Sequence, residues 1–428
     1  MFSFLRDAWE LGHGRAPTLF MGFFTYVWVL WSAKALAARR YGPSTRRPRA
    51  FTTSVIVPVF NESEAVFRRS LASVVANRPT ELIAVVDGGD AELAAIAAEY
   101  CDRVLRLPKS GKRTAVAAGL RESDPATDVV VVLDSDTVWS PGALREMLRP
   151  FADPRVGGVT PRQAIFDVGD NPVRRLADWM EDIRYHLTVP AQSVFGQVGC
   201  LAGRTIAYRR AAFEPAIERA VRQTVLGIPQ QVGDDRVLTN ELLRSGWRTV
   251  YQASALVQTD APSDWRTFWR QQLRWGRSSQ RETLLSLPWL WRKPVAFACF
   301  ATDIVTPFAL YAVVAFAIAH TINGDSGDGG LPLALELPLG YLGMLASIGV
   351  RQAAHVRRAP GDLARLPLFV LQITFVLVPI RIAAFATMFH QSWNTRGDRP
   401  AFPRVRSGLL RPEGAQETVA VMSGESTP

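Results

Sequence analysis

The sequence predicts an α/β domain with a mostly parallel sheet, joined to apolar helices that associate with a membrane. Three observations support this class. The middle of the 428-residue chain alternates short apolar runs with alanine-rich stretches, both ends carry long apolar runs, and arginine clusters flank those runs. Such alternation is typical of a sheet covered by helices on both faces. The apolar ends exclude a simple soluble enzyme.

Composition narrows the class further. Hydrophobic residues make up 48% of the chain, which excludes a disordered protein. Three cysteines and five histidines are too few and too scattered for a disulfide framework, a zinc cluster or a histidine-ligated metal site. A net charge of +10 is typical of proteins that bind nucleic acid or an anionic membrane. Because the arginines border apolar runs, we expect membrane lipids and not nucleic acid as a partner.

The first apolar run spans 18–38, close to the length of about 20 residues that crosses a bilayer. A signal peptide is the alternative, but the run is long, contains tryptophan and lacks a clear cleavage site. Five basic residues follow it, namely Arg39, Arg40, Arg46, Arg47 and Arg49. The positive-inside rule therefore places that side in the cytoplasm.

Three more apolar runs lie at about 294–319, 331–350 and 366–389. By the positive-inside rule, the acidic loop between the first two runs is predicted to be external. The arginine-rich loop after the second run is predicted to be cytoplasmic. The tail is also arginine-rich, yet one crossing cannot leave both flanks of the last run in the cytoplasm. Pro379 and Arg381 interrupt that run, so it is either split or re-entrant, or the tail is external.

The central region, residues 51–260, is predicted to form the sheet. The expected strands are Ser54–Val59, Leu82–Val86, Val104–Leu107 and Val129–Leu133, with helices near 91–100 and 114–121. Ligands of such sheets bind beyond the carboxyl ends of the strands. An amphipathic stretch at 263–291 reads as an interfacial helix. The predicted organisation is an anchor and basic linker (1–50), a catalytic domain (51–260), interfacial helices (261–292), a transmembrane region (293–390) and a polar tail (391–428).

Polar residues follow each predicted strand. They are Pro58-Val59-Phe60-Asn61-Glu62, Asp87-Gly88-Gly89-Asp90, Ser110-Gly111-Lys112-Arg113 and Asp134-Ser135-Asp136. A single carboxylate at such a position is often a helix cap, but four polar strand ends indicate a ligand site. Asp134 and Asp136 offer the oxygen ligands that Mg²⁺ or Mn²⁺ prefers. The glycine turn and cations of 110–113 suit a diphosphate.

Two later segments complete the candidate set. Gly233-Asp234-Asp235-Arg236 precedes a helical stretch, so its carboxylates are either helix caps or a general base. Gln271, Arg274 and Trp275 have the spacing of one helix face. Side chains of these types bind phosphate and stack on a sugar ring.

These motifs, in this order, resemble the processive, membrane-embedded family 2 glycosyltransferases, most closely hyaluronan synthases and rhizobial chitin-oligosaccharide synthases. The resemblance covers about residues 50–400 and includes the tail segment Trp393-Asn394-Thr395-Arg396. It implies a GT-A, Rossmann-like catalytic domain on the cytoplasmic face of the cell membrane. It also implies UDP-sugar donors, a growing glycan acceptor and Mg²⁺ or Mn²⁺.

The resemblance also implies roles for individual residues. Asp87 would bind the uracil ring, and Lys112 and Arg113 would hold the uridine and diphosphate. Asp134 and Asp136 would form the metal pair, with Asp136 the direct contact. Asp235 would be the base, Arg274 would neutralise the leaving diphosphate, and Trp275 would stack on the acceptor. The remaining candidates are Asp234 and Gln271 for catalysis, and Pro58, Asn61, Glu62, Cys200, Gly203 and Arg236 for substrate binding.

Two departures leave the product open. The segment Cys200-Leu201-Ala202-Gly203-Arg204 has arginine where those synthases often have proline, and only one apolar run precedes the catalytic region. The expected activity is a processive, inverting synthesis of a GlcNAc-containing polymer, hyaluronan-like or chitin-like, coupled to export. The alternative is a non-processive membrane enzyme that makes a short oligosaccharide or a lipid-linked sugar.

Overall fold

A computed structural model describes residues 16–47, 50–225, 227–230, 233–322 and 333–390. The tail segment Trp393–Arg396 and the acidic loop at 323–330 lie outside these residues. The chain forms two compact units. Of the described residues, the α/β unit contains those within Gly42–Asp178 and Phe195–Gln271, and the helical unit contains 16–41 and those within Trp179–Val194 and Gln272–His390. The segment Trp179–Val194, which the sequence assigns to the catalytic region, therefore falls in the helical unit.

The α/β unit is built on an eight-stranded sheet. Its strands are β1 (Thr53–Val59), β2 (Glu81–Asp87), β3 (Arg103–Leu107), β4 (Val129–Leu133), β5 (Thr137–Trp139), β6 (Val156–Ile165), β7 (Thr205–Arg209) and β10 (Arg248–Thr259). The order is β3-β2-β1-β4-β7-β6-β10-β5. Strands β3, β2, β1 and β4 are parallel, as are β6 and β10, while β7 is antiparallel to both its neighbours. The predicted α/β class is confirmed.

Three of the four predicted strands are buried because they are mostly apolar, whereas the edge strand β3 exposes Arg103 and Arg106. Strands β2 and β4 are buried at every position, and β1 at all but Pro58. Strands buried on both faces read as continuous Val, Ile and Leu runs, which is why the sequence reveals them. A small hairpin of β8 (Thr224–Val225) and β9 (Ile228–Pro229) stands apart from the sheet.

Helices make up the rest of both units. They are α1 (Ala16–Arg39), α2 (Glu64–Val75), α3 (Ala91–Ala98), α4 (Lys112–Glu122), α5 (Ala143–Leu148), α6 (Pro172–Ile183), α7 (Val189–Val194), α8 (Arg210–Val221), α9 (Asp234–Arg244), α10 (Trp265–Leu290), α11 (Pro294–Ile322), α12 (Leu333–Arg351), α13 (Ala353–Arg358), α14 (Leu366–Gln372) and α15 (Val378–Ala386). Short π-helical turns at Arg184–Thr188 and Ile373–Leu377 join α6 to α7 and α14 to α15.

Helix α4 packs unusually closely on the sheet. A Cβ atom added at Gly119 would lie 2.6 Å from Cγ2 of Ile56 and 3.1 Å from Cγ2 of Val85. A larger residue there would push the helix off β1 and β2. This contact fixes the position of the helix, and therefore of Lys112 at its first turn.

Helices α4 and α9 both begin after a glycine in the left-handed region. Gly111 has φ +88° and Gly233 has φ +85°. Residues with a Cβ atom adopt such backbone angles at a steric cost. The two turns direct the first residues of each helix, Lys112 and Asp234, towards each other.

Three helices of the described chain are long and apolar enough to cross a membrane: Met21–Arg39, Pro294–Phe316 and Pro360–Ala386. They correspond to three of the four predicted apolar runs. The fourth run forms helix α12, which falls short of that standard and carries Glu336 within it. The last run stays helical through Pro379, and the π-helical turn at Ile373–Leu377 precedes that proline. A wider turn accommodates the missing proline N–H without breaking the helix.

A buried ionic network joins three segments of the helical unit. Asp182 Oδ2 lies 2.6 Å from Nδ1 of His355, and Asp362 Oδ2 lies 3.0 Å from its Nε2. Arg358 pairs with Asp182, and Arg365 pairs with Asp362. The indole of Trp179 stacks between the rings of His355 and Phe369, at 4.5 and 4.0 Å between centroids. The network balances charges that would be costly to bury singly.

Candidate active site

The carboxyl ends of β1, β2 and β4 bring the predicted polar residues to one edge of the sheet. Asp87 ends β2 and is buried. Its Oδ1 accepts hydrogen bonds from the backbone N–H and the hydroxyl of Ser110, at 2.6 and 3.1 Å. Its Oδ2 accepts one from the N–H of Gly111, at 3.0 Å. Asp87 therefore holds the loop that starts α4. The backbone N–H groups of Ser110 and Gly111, which belong to the segment predicted to bind a diphosphate, are bound to this carboxylate.

Lys112 connects the strand ends to the helix that follows Gly233. Its Nζ lies 2.5 Å from Asp134 Oδ1 and 3.1 Å from Asp234 Oδ2. The three side chains are partly buried, with 22%, 33% and 22% of their surfaces exposed, respectively. One ammonium group thus joins two carboxylates that are 100 residues apart in the chain.

The charges in this cluster stabilise one another. Burial alone would lower the pKa of Lys112, but the nearby Asp134, Asp234 and Asp235 raise it well above its usual value. Burial alone would raise the pKa of Asp234, but Lys112 and Arg113 hold it below the usual value. At neutral pH the site therefore contains a lysine ammonium and ionised Asp234.

The predicted metal pair lies in the tight turn between β4 and β5. The turn is closed by a hydrogen bond from the N–H of Thr137 to the carbonyl oxygen of Asp134, at 3.0 Å. The hydroxyl of Ser135 donates to Oε2 of Glu62 at 2.8 Å, which ties the turn to the end of β1. Asp134 and Asp136 are both half-buried. This set of hard carboxylate oxygens fits a divalent cation such as Mg²⁺ or Mn²⁺.

Asp235 lies in the first turn of α9, against the loop that precedes β7. The Sγ atom of Cys200 is 3.7 Å from its Oδ2. A Cβ atom added at Gly203 would lie 3.4 Å from Cβ of Asp235 and 3.6 Å from Nζ of Lys112. The predicted residues Cys200, Gly203, Lys112, Asp234 and Asp235 are therefore immediate neighbours.

Two predicted arginines are buried in the protein. Arg113 is 4% exposed, and its Nη1 donates to the carbonyl oxygens of Ala220 and Gln230, at 2.8 and 3.0 Å. Arg236 is 5% exposed on α9. In this arrangement Arg113 fixes the segment between α8 and α9, which leads to Asp234. Its predicted contact with the uridine and diphosphate stays a prediction.

The remaining candidates lie in β1 and its end, and in α10. Pro58 belongs to β1 and pairs with Val85, and Asn61 has φ +46° in the turn that follows. Gln271 lies in the α/β unit, whereas Arg274 and Trp275 lie in the helical unit, all on the same helix α10. Trp275 exposes 36% of its surface. The roles assigned to these residues stay predictions.

Sequence reasoning missed one residue of this site, Tyr208. It lies in β7, paired with Val130 of β4, and lines a cavity together with Lys112, Asp234 and Asp235. Its segment, Thr205–Arg209, reads only as an apolar strand ending in arginine. Tyr208 is buried next to Asp234 and Asp235, which are distant from it in the chain, so the sequence around Tyr208 does not indicate this position.

The mostly parallel sheet and the helices that cover it define a fold of the GT-A type. The chain is similar in fold to a solved mannosyltransferase from Pyrobaculum calidifontis, whose structure contains GDP-mannose and Mn²⁺. The TM-score is 0.57 at 19% identity, over 87% of this chain and 97% of that one. The predicted GT-A fold is confirmed.

The family follows from the sequence comparisons. A protein-family model described as glycosyltransferase-like family 2 matches residues 48–278, which is more than half of the chain. The protein therefore belongs to the family 2 glycosyltransferases, as the motifs predicted, and is an enzyme of sugar transfer.

Two groups of relatives cover most of the chain. An N-acetylglucosaminyltransferase of Rhizobium leguminosarum bv. viciae is 30% identical over 92% of this chain and 95% of its own length. An N-acetylglucosaminyltransferase of Rhizobium meliloti is 30% identical over 87% of this chain and 86% of its own length. A hyaluronan synthase of Streptococcus pyogenes is 29% identical over 83% of this chain and 86% of its own length. The predicted resemblance to these two groups is confirmed.

Proposed function

We propose that this protein is an inverting, membrane-bound glycosyltransferase that uses UDP-sugars to extend a GlcNAc-containing polymer. One observation carries the proposal: the ammonium of Lys112 bridges Asp134 and Asp234 beside Asp235, at the edge of the sheet where ligands bind. The name of the two rhizobial relatives, N-acetylglucosaminyltransferase, supports GlcNAc as one of the sugars.

The proposed reaction is a single displacement at the anomeric carbon. Asp235 accepts the proton of the acceptor hydroxyl as that oxygen forms its bond to the sugar. The bond between the sugar and the diphosphate breaks at the same time, and UDP leaves with its electron pair. The configuration of the anomeric carbon is inverted because attack and departure are on opposite faces.

Charge on the leaving UDP requires compensation. Lys112 supplies a fixed cation, and Asp234 holds that cation through its ion pair. A divalent cation bound by Asp134 and Asp136 would neutralise further negative charge on the diphosphate. In this account Asp234 is a positioning residue, and Asp87 and Arg113 position the loops on either side.

The second part of the proposal concerns export. Arg274 and Trp275 lie on helix α10, which precedes the apolar helices Pro294–Phe316 and Pro360–Ala386. We assign Arg274 to the leaving diphosphate and Trp275 to the acceptor sugar, with the apolar helices providing a path across the cell membrane. The basic flanks of α1 support a cytoplasmic catalytic unit. A non-processive enzyme would need only the α/β unit's residues.

Donor screening combined with product sizing tests the proposal. The detergent-solubilised full chain is incubated with Mg²⁺ or Mn²⁺ and with UDP-sugars singly and in pairs, and UDP release is measured. The proposal predicts release that requires UDP-GlcNAc, alone or with a second donor such as UDP-GlcA, and long products on a gel. Addition of a single sugar would contradict processive synthesis, and the absence of release with every donor would contradict the activity.

A further inference from the structure

A small cavity is lined by Asp235 and by residues of α4, β7 and α9. Its volume is about 10 Å³, and its polar wall consists of Lys112, Tyr208, Asp234 and Asp235. The other lining residues are apolar apart from the buried Arg113 and the backbone of Gly203. A cavity of this size admits about one water molecule, which needs two or more polar partners to be stable.

Tyr208 presents an unusual polar group to this cavity. The residue is fully buried, and its ring stacks on Phe213 with 4.5 Å between centroids. Its hydroxyl has no hydrogen-bond partner among the residues that the structure describes. A buried phenolic hydroxyl normally finds a partner, because leaving it unpaired is costly.

The ring of Tyr208 also lies next to strand β6. Tyr208 pairs with Gly158 of that strand, and a Cβ atom added at Gly158 would lie 3.7 Å from Cδ1 of the ring. Burial, together with the charges of Asp235 and Asp234, raises the pKa of Tyr208 well above its usual value. The hydroxyl therefore stays protonated and is a hydrogen-bond donor beside two carboxylates.

We propose that one water molecule occupies this cavity and joins the hydroxyl of Tyr208 to the carboxylate of Asp235. Tyr208 is then a positioning residue that holds Asp235 in its ionised form and in one orientation. This inference rests on the proposed function, in which Asp235 is the general base.

Other groups also face Asp235. They are the ammonium of Lys112 on α4, the thiol of Cys200, and the N–H of Arg236, which donates to Asp235 Oδ1 at 2.8 Å. These groups favour the ionised form of Asp235. Asp234, the neighbour in the same helix turn, disfavours it because its own charge is negative. Loss of the Tyr208 contact should therefore weaken the base without abolishing it.

The variant Tyr208→Phe removes the hydroxyl and keeps the ring. Its matched control is Thr160→Val, because the Thr160 hydroxyl is also buried, lacks a partner among the described residues and does not line the cavity. We expect Tyr208→Phe to lower kcat about tenfold with little change in KM. The acid limb of its pH profile should move up by about 0.5–1 pH unit, because a donor to the carboxylate is lost. Thr160→Val should match the parent.

A second measurement does not depend on turnover. Thermal unfolding of the parent, Tyr208→Phe, Asp235→Asn and the double variant forms a double-mutant cycle. We expect Tyr208→Phe to lower the midpoint in the parent and to lower it less when residue 235 is neutral. If the Tyr208 hydroxyl had no partner, its removal would leave the midpoint unchanged or raise it, both in the parent and in Asp235→Asn.

The two readouts separate the two claims. A Tyr208→Phe enzyme with the parent's pH profile and no coupling to residue 235 overturns the role of Tyr208 and leaves the proposed function standing. A parent protein that turns over no UDP-sugar overturns the proposed function, while the unfolding cycle still decides whether Tyr208 and Asp235 interact.

Discussion

Lys112 and Asp134 form an ion pair in which Nζ lies 2.5 Å from Oδ1. The same ammonium reaches Asp234 at 3.1 Å, so it links the end of β4 to the start of α9. Burial alone would favour neutral groups at this position, and the close approach of opposite charges reverses that preference. The pair therefore explains why motifs far apart in the chain form one site.

Substituting Lys112 tests this electrostatic link. Lys112→Gln removes the cation from between two partly buried carboxylates, which should lower the free energy of unfolding by about 2–3 kcal/mol at pH 7. Because the folded pKa of Asp234 lies below its usual value, its contribution is present above about pH 4 and is lost as the pH falls. The difference between parent and Lys112→Gln should therefore shrink below about pH 4.

Thermal unfolding between pH 3 and pH 7 measures that difference. The neighbouring Lys109 provides a matched control, because it is exposed and its Nζ lies over the ring of Phe60 at 4.5 Å. Lys109→Gln should change the midpoint little at any pH. Equal effects of the two substitutions would show that the Lys112 ion pairs contribute nothing to stability.

Gly203 tests how closely the loop before β7 approaches the base. The Cβ of Gly203→Ala would make ordinary contacts with Asp235 and Lys112, at 3.4 and 3.6 Å. We expect the variant to fold normally and to lose about tenfold in kcat/KM, because the methyl group occupies space beside the reacting groups. Gly42→Ala is the control, since a Cβ there meets nothing within 4 Å. Parent-like kcat/KM in Gly203→Ala would place the acceptor elsewhere.

Metal dependence is expected to arise from the turn between β4 and β5. Chelation with EDTA should abolish UDP release, and Mn²⁺ or Mg²⁺ should restore it. Asp136→Asn should raise the metal concentration needed for half-maximal activity by about 10-fold or more, because a carboxylate ligand becomes a neutral amide. Turnover that is indifferent to EDTA would contradict the assignment of Asp134 and Asp136 to a cation.

The ionic network of the helical unit should be important for stability. Asp182→Asn removes the carboxylate that pairs with Arg358 and with Nδ1 of His355, and it should destabilise the folded protein by about 3 kcal/mol. Thermal unfolding in detergent measures the change, and Asp170→Asn, at an exposed carboxylate of the α/β unit, is the control. If both variants unfolded with the same midpoint, the network would be dispensable.

Much of the α/β unit was predictable because its strands are locally distinctive. The predicted strand Val129–Leu133 matches β4 at both ends, and the other three differ by one residue at one or both ends. The continuous apolar runs of β1, β2 and β4 reflect burial on both faces of the sheet. The antiparallel strand β7 was not predicted, because its insertion between β4 and β6 depends on pairing partners distant in sequence.

The site was predictable as a set of residues and less so as a set of contacts. Strand ends and helix starts indicated Lys112, Asp134, Asp234 and Asp235. The resemblance assigned Asp87 to the uracil ring, and that role stays a prediction. The structure adds contacts that the sequence did not indicate, between both carboxylate oxygens of Asp87 and the Ser110–Gly111 loop. Side-chain partners of this kind are set by tertiary packing, which residue spacing alone does not specify.

Replacement of Asp235 tests the central claim most directly. Asp235→Asn keeps the size of the side chain and removes the base, and Asp170→Asn is the same change at an exposed carboxylate. With UDP-GlcNAc among the donors, Asp235→Asn should lose about 10²–10⁴-fold in turnover, while its unfolding midpoint shows that it is folded and Asp170→Asn keeps the parent's rate. Parent-like turnover by a folded Asp235→Asn enzyme would contradict the account.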